Sequence, residues 1–236
     1  LISNADIFKA GVMIKGQERN LKAGEFLIPP SLSMNEIMEI LVKGEVIQHQ
    51  LTIVEGWTSW QIAEYLNSIE NLTDTIEEPP IEGSILPESY NYTRGTSRFD
   101  LLMRMQEQQF ILLERLWDAR DPTLPLDSVD EVITLASIVE RETGLPEERA
   151  HIAGVFVNRM RRGIRLQSDP TIIYGIDQKG FLDRGLRRSE IEDKDNPYNT
   201  YQIDRLPPSP IAHPGRASIE SVLHPMDTND VYFVAD

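Results

Sequence analysis

The chain has 236 residues, 40% of them hydrophobic and 26% charged, with a formal net charge of −15. At roughly 100–200 residues per domain this length allows one or two domains, and the acidic balance argues against a general nucleic-acid binder, whose affinity rests on neutralising phosphates. There is no cysteine, which excludes disulfides, thiolate catalysis and Cys-based zinc sites together.

Two similar units open the sequence. "KAGEFLIPPSLSMNEIMEILVKG" reads as a short strand, a Pro-Pro turn and a helix, with Ser33 and Glu36 at capping-box spacing and Ile37, Ile40 and Leu41 on one apolar face. "HQLTIVEGWTSWQIAEYLN" repeats the plan, with alternation through Leu51 and Ile53, a turn at Glu55-Gly56, and a Thr58/Gln61 box before a helix bearing Ile62, Tyr65 and Leu66. Neither unit has nucleophile or metal-ligand spacing, so a docking or positioning role is expected. The acidic "DTIEEPPIEGS" reads as a connector into the turn-rich "EGSILPESYNYTRG".

A long helix is expected from about Arg98 to Asp118, offering Leu101, Leu102, Met105, Phe110, Leu113 and Trp117 to a core. "DPTLPLDS" breaks it. The next helix starts at Ser128, with Glu131 completing a capping box, and ends near Thr143-Gly144. A third is expected from Pro146 to Gly163, with Glu147 and Glu148 complementing its dipole. Beyond Gly163, "LQSDPTIIYGI" reads as a turn into a short apolar run. "NPYNTYQIDRLPPSPIAHPG" is polar and aromatic loop, which suits a cleft wall and an ordinary irregular region equally.

Several chemistries lack their motifs: no G-x-S-x-G elbow, no P-loop, no G-x-G-x-x-G and no H-E-x-x-H. His49, His151, His213 and His224 are scattered, without ligand spacing, so no metal or other cofactor is expected. From Arg141 to Glu190 there are ten Lys/Arg against seven Asp/Glu, locally +3 in a −15 chain. That cluster reads either as a solvated helix end or as a surface for an anionic polymer or for carboxylated groups.

The stretch with chemical content is "LASIVERETG", where the apolar run Val132–Val139 is followed by Glu140 and Glu142. At 3.6 residues per turn the two carboxylates are about 200° apart, on opposite flanks of the apolar face. They are therefore a poor pair for the two sides of one glycosidic bond, which calls for carboxyl separations of roughly 5–9.5 Å across the substrate. One should carry proton transfer and the other a structural bond, with Arg141, Arg149 and Arg159 as partners to hand. Position favours Glu142, on the last turn, where partial burial raises a carboxyl pKa; Glu140 is the alternative.

"LASIVERETG", "VFVNRMRRGIRLQSDPTIIYG", "YNTY", "LPPSPIAHPG" and "YFVAD", in that order, together with the upstream "KAGEFLIPP", "TIVEGWTSWQIAEYL" and "EGSILPESY", resemble the YceG-like family of endolytic murein transglycosylases over nearly the whole chain. The resemblance implies an α+β protein: a small LysM-like α/β subdomain, taken as residues 1–80, followed by a mainly helical, lysozyme-like catalytic domain with irregular loops, taken as 81–236. It implies endolytic cleavage of the β-1,4 bond between N-acetylmuramic acid and N-acetylglucosamine in peptidoglycan strands, leaving a 1,6-anhydro end. One glutamic acid serves as general acid and then base. The Glu-hydroxyl pair Glu142-Thr143 fits that role better than Glu140-Arg141. The same carry-over makes Gln167, Asp169, Tyr174, Tyr198, Asn199 and Tyr201 the substrate-binding residues. It implies wall-synthesis proteins as partners besides the glycan. It also implies a bacterial inner-membrane location, with one N-terminal anchor that this chain lacks, a catalytic domain facing the periplasm, and a further C-terminal segment beyond Asp236. The competing reading is a non-catalytic peptidoglycan-binding scaffold.

Overall fold

A computed structural model describes residues 4–233. Among these, helix α1 spans Ala5–Ile14 and α2 spans Met34–Lys43. The Ser33/Glu36 capping box forms in full, and Gly44 ends α2 in the left-handed conformation, at φ 70°. The strand expected in "KAGEFLIPP" does not form. The segment is irregular, and the only backbone bond joining it to the approach to the next strand runs from Ile47 N to Glu25 O. With no partner strand, alternation alone cannot make a ladder.

Strand β1, His49–Thr52, does find a partner: it pairs antiparallel with β2, Ser89–Tyr92, with Leu51 opposite Tyr90. β2 lies in the segment expected to be turn-rich, so the expected division at residue 80 falls between the two strands of one sheet. Between them, α3, Ser59–Ser68, starts with the Thr58/Gln61 capping box. β1, β2, α3 and the first half of α4, Arg98–Asp118, enclose a core of Leu51, Ile53, Ile62, Leu66, Ile85, Leu101 and Met105.

The second core gathers around α5, Val129–Glu142, whose residues 132–139 are all buried. It includes Leu135, Ile138, Phe156, Leu166, Ile219 and the α4 residues Leu112 and Leu113. One long helix therefore runs through both cores and fixes them relative to each other. Phe110, expected inside, is 61% exposed, because the buried positions of α4 follow Leu101, Met105, Gln109 and Leu112 around another side.

The capping box expected at the start of α5 is half formed. Ser128 Oγ accepts from Glu131 N–H, but the Glu131 carboxylate takes Asp127 N–H. α6 covers Arg149–Arg161, later than expected, since 146–148 form a turn. The short apolar run is helix α7, Asp169–Ile176, with Pro170 in its first turn; α8, Arg188–Ile191, and α9, Arg216–Leu223, follow. α9 packs on α5 and α6.

After α9 the chain returns along α6. Met226 N–H donates to Ala150 O, Asn158 Nδ2 donates to the Thr228 and Asp230 carbonyls, and Phe233 meets Phe156 edge-on at 5.5 Å. The part of "YFVAD" beyond Phe233 lies outside the described residues. No helix among those described is long and apolar enough to cross a membrane.

Candidate active site

The two glutamates at the end of α5 have different surroundings. The Glu140 side chain is 5% exposed and committed on both sides. One oxygen pairs with Arg149 Nη2 at 3.2 Å, and the other accepts Gly215 N–H at 2.8 Å. Arg149 also faces Glu55 at 3.5 Å. Glu140 thus ties α5 to α6, to the start of α9 and to the turn after β1. Its neighbour Arg141 makes a similar link, donating to the carbonyls of Gly56 and Gly180.

Glu142 has no ion pair among the described residues. Its hydrogen-bond partner is the Ser168 hydroxyl, which donates to Oε1. Burial lifts the Glu142 carboxyl above the ordinary carboxylate range; the Ser168 hydrogen bond lowers it, the Asp169 charge raises it, and Arg159 lowers it, with a net upward shift. A carboxyl so placed holds its proton to a higher pH and can donate it, as a general acid must. The neighbouring Thr143 does not assist: its hydroxyl donates to Glu148 and accepts Leu145 N–H, turning the chain out of the helix. The hydroxyl beside the acid comes from Ser168, 26 residues further on, a separation no local spacing reveals.

The wall opposite Glu142 is irregular in outline and closely bonded. Ser168 N–H donates to Thr200 Oγ1 at 2.9 Å, Thr171 and Thr200 hydroxyls lie 2.9 Å apart, and Gln167 N–H donates to Thr200 O. Asn199 locks the other end, its amide donating to the carbonyls of Glu190, Ile191 and Asp193. Gln167 adopts a left-handed backbone, at φ 51°, which costs a non-glycine residue about 1–2 kcal/mol; its side chain is exposed beside the acid's partner. Tyr201 donates its hydroxyl to Asp169 Oδ1 at 2.7 Å. Burial, with the Asp169 bond and charge, pushes that phenol up to about 12. Behind them Arg159, 6% exposed, donates to the Val231 and Leu166 carbonyls and lends its charge to Glu142 and Tyr201.

Of the residues expected to contact substrate, Gln167, Asp169 and Tyr201 therefore gather at Glu142. Asn199 is fully buried, and its amide bonds backbone; it supports the wall. Tyr174 and Tyr198 sit further along, ring against ring at 5.0 Å. Tyr174 is 5% exposed and donates its hydroxyl to Glu82 Oε2 at 3.0 Å, while Tyr198 bonds Ser209.

Glu82 and His213 carry no signal in the sequence, yet they form a second buried polar cluster. The Glu82 carboxylate accepts Ser59 N–H and the Tyr174 hydroxyl, faces His213 Nε2 at 3.2 Å, and is raised by burial to about 7. His213 is completely buried, and burial holds it down at about 3, so it is neutral. Ile85 N–H donates to its Nδ1 and Ser59 Oγ lies 2.9 Å from its Nε2. Serine, histidine and acid meet here, but serine and acid share one ring nitrogen, and a backbone amide occupies the other. A relay needs nucleophile and acid on opposite ring nitrogens, so the cluster is not a hydrolase triad. Among the described residues no group of His, Asp or Glu could hold a metal ion.

The YceG-like family model matches residues 1–236. A protein named endolytic murein transglycosylase from Bacillus subtilis (strain 168) is 29% identical over 268 aligned positions, covering 100% of this chain and 72% of that protein. A protein of the same name from Streptococcus pneumoniae (strain ATCC BAA-255 / R6) is 29% identical, covering 92% of this chain and 47% of its own length. The chain thus spans about half of the streptococcal relative. A crystal structure of a yceG-like protein from Listeria monocytogenes superposes with a TM-score of 0.67 at 28% identity, over 99% of this chain and 86% of that one.

Proposed function

Because the chain belongs to the YceG-like family, we propose that it is an endolytic murein transglycosylase with Glu142 as its proton-transfer group. The observation that carries this reading is the contrast between the two glutamates: Glu140 is spent on Arg149 and Gly215, whereas Glu142 is an unpaired, raised carboxyl held by Ser168 beside exposed polar groups. The relatives' shared name, endolytic murein transglycosylase, supports the substrate class.

In this mechanism Glu142 protonates the glycosidic oxygen as the bond breaks. The positive charge that develops on the sugar is met by the nearby Asp169 carboxylate. Glu142, now a carboxylate, takes the proton of the same sugar's C6 hydroxyl, and the oxygen closes a 1,6-anhydro ring. No water is activated, so a single acid suffices. Holding the internal nucleophile in line can supply about 7–11 kcal/mol of barrier lowering, and the acid–base step a further factor of about 10²–10⁴. Ser168 fixes the acid's orientation. Gln167, Asp169 and Tyr201 meet sugar hydroxyls and N-acetyl groups. The part built around the β1–β2 sheet, α3 and the first half of α4 acts as a LysM-like positioning module, and a membrane anchor would present the site to the wall.

The test is mass analysis of sacculi digested with the protein. Anhydro-ended muropeptides are expected from the wild type, falling at least a hundredfold with Glu142→Gln. Reducing ends would instead make it a hydrolase, with Asp169 as the second carboxylate. Binding to sacculi without any product would make it a scaffold.

A further inference from the structure

Beyond the Glu142 site there is a pocket of about 640 Å³ that the proposed chemistry does not use. Its floor is the Glu82 carboxyl, beside the paired hydroxyls of Tyr198 and Ser209. Trp60 forms one wall. Ile81, a large apolar side chain left 80% exposed, forms another. At the mouth Lys179 holds its ammonium 4.4 Å from the Trp60 ring centroid and makes no ion pair among the described residues.

Aromatic face, apolar wall, hydrogen-bonding floor and unpaired cation together suit a sugar ring that carries a carboxylate. The ring's apolar face stacks, its hydroxyls reach the floor, and the acid meets the lysine. A peptidoglycan strand offers such a unit at every second sugar, through the stem peptide on its muramyl residues. Helix α7 also links the pocket to the Glu142 site. Asp169, Ile173 and Ile176 stand at i, i+4 and i+7 of α7, on one face. Asp169 borders Glu142, and Ile176, exposed, lines the pocket. At 1.5 Å rise per residue these ends lie roughly 10 Å apart, far enough for a further sugar of the strand but not for the scissile pair.

We infer that the pocket bounded by Trp60, Glu82 and Lys179 is a remote glycan subsite, which takes a stem-bearing sugar of the strand being cut at Glu142, with its ring on Trp60 and its carboxylate on Lys179. The inference rests on the proposed function. It assigns α7 the part of a ruler along the strand, and the module carrying Trp60 a direct part in holding substrate. Lys179 exchanges a weak contact with the indole for the carboxylate, uncovering the ring.

Steady-state kinetics on purified glycan strands, with their stems and after amidase removal of them, test this for wild type, Trp60→Ala and Lys179→Ala. Loss of stacking should raise KM about tenfold on both substrates for Trp60→Ala, with kcat within about twofold. Lys179→Ala should raise KM about threefold on both substrates, as one exposed charge pair would, because amidase cleavage leaves each muramyl ring a free lactyl carboxylate. Thermal melts control for folding, and Lys179, exposed and away from the core, gives a second reading should Trp60→Ala melt early. Wild-type KM for both variants on both substrates overturns the subsite while leaving the transglycosylase standing. If the wild type releases no anhydro product, the proposed function fails instead. Calorimetry of stem-bearing strands then decides the subsite: weaker binding by both variants supports it, and unchanged binding overturns it.

Discussion

The assignment of roles to Glu140 and Glu142 makes a paired prediction in which activity and stability move in opposite directions. Glu140→Gln keeps an oxygen for Gly215 N–H, now at 2.8 Å, but removes the charge that faces Arg149 at 3.2 Å. Both members of that pair are nearly buried, with side chains 5% and 11% exposed, and Arg149 Nε already lacks a hydrogen-bond partner. Breaking one side of a buried pair costs about 3–5 kcal/mol. The remaining Glu55, 3.5 Å from Arg149, recovers part of that, so about 3 kcal/mol is expected. For a chain of this size 1 kcal/mol moves the melting point by about 2–4 °C, giving a fall of about 6–12 °C. Glu142→Gln is the converse case. Its carboxyl carries a burial cost with no ion pair among the described residues in return, so the amide should leave the melting point unchanged or higher. The rate should nevertheless fall by about 10²–10⁴ through loss of proton transfer. Calorimetric melts and anhydro-product assays on the two variants check both halves. A Glu142→Gln protein with more than a tenth of wild-type rate, or a Glu140→Gln protein that melts normally yet is inactive, would refute the reasoning and move the acid to Glu140.

Three further predictions follow from the packing. Glu82 has a folded pKa of about 7 against an ordinary 4.5, so its contribution to stability is intact below 4.5 and lost as pH rises to about 7, by about 3 kcal/mol at most. Glu82→Gln should therefore flatten the fall in melting temperature between pH 5 and 7.5; an unchanged slope would show that another group titrates there. His213, held at about 3, acts in the other direction, its contribution being lost as pH falls below its ordinary 6.5. Gly154→Ala should destabilise, although alanine normally gains about 1 kcal/mol over glycine within a helix. The new Cβ would stand 2.5 Å from the Met226 carbonyl, pushing away the segment that holds Arg159 through Val231. Faster amide exchange at Met226 is the readout, and protection equal to wild type would exclude the clash. Arg98, 6% exposed, donates to five carbonyls, those of Leu66, Asn67, Ile69, Leu72 and Asp74. Arg98→Ala should cost at least about 3 kcal/mol by leaving them unmet, and Arg98→Lys, lacking the planar fork, should recover less than half. Full recovery by lysine would mean that charge, not geometry, is what matters.

What the sequence disclosed was whatever a few neighbouring residues decide. Capping boxes at Ser33/Glu36 and Thr58/Gln61, the extent of α4, and the end of α5 all depend on contacts within about one turn, and all formed where expected. What stayed hidden depends on distant partners. β2 is a strand because β1, about 40 residues earlier, offers it a ladder. Glu82 and His213 are 131 residues apart and signal nothing until they meet. The candidate site lies across this divide. The helical wheel could separate Glu140 from Glu142, since opposite flanks of one helix must find different neighbours, and they did: Arg149 and Gly215 for one, Ser168 for the other. It could not supply Ser168, and adjacency offered Thr143 instead, whose hydroxyl bonds Glu148. The loops with least periodicity, around 167–168 and 196–201, are the ones whose Asn, Ser and Thr side chains bond each other and the backbone most fully. Short polar side chains that lower helix and strand propensity are the same ones that can brace a loop internally. The composition that made this wall unreadable as secondary structure is also what braces the loop that holds the Glu142 carboxyl through Ser168.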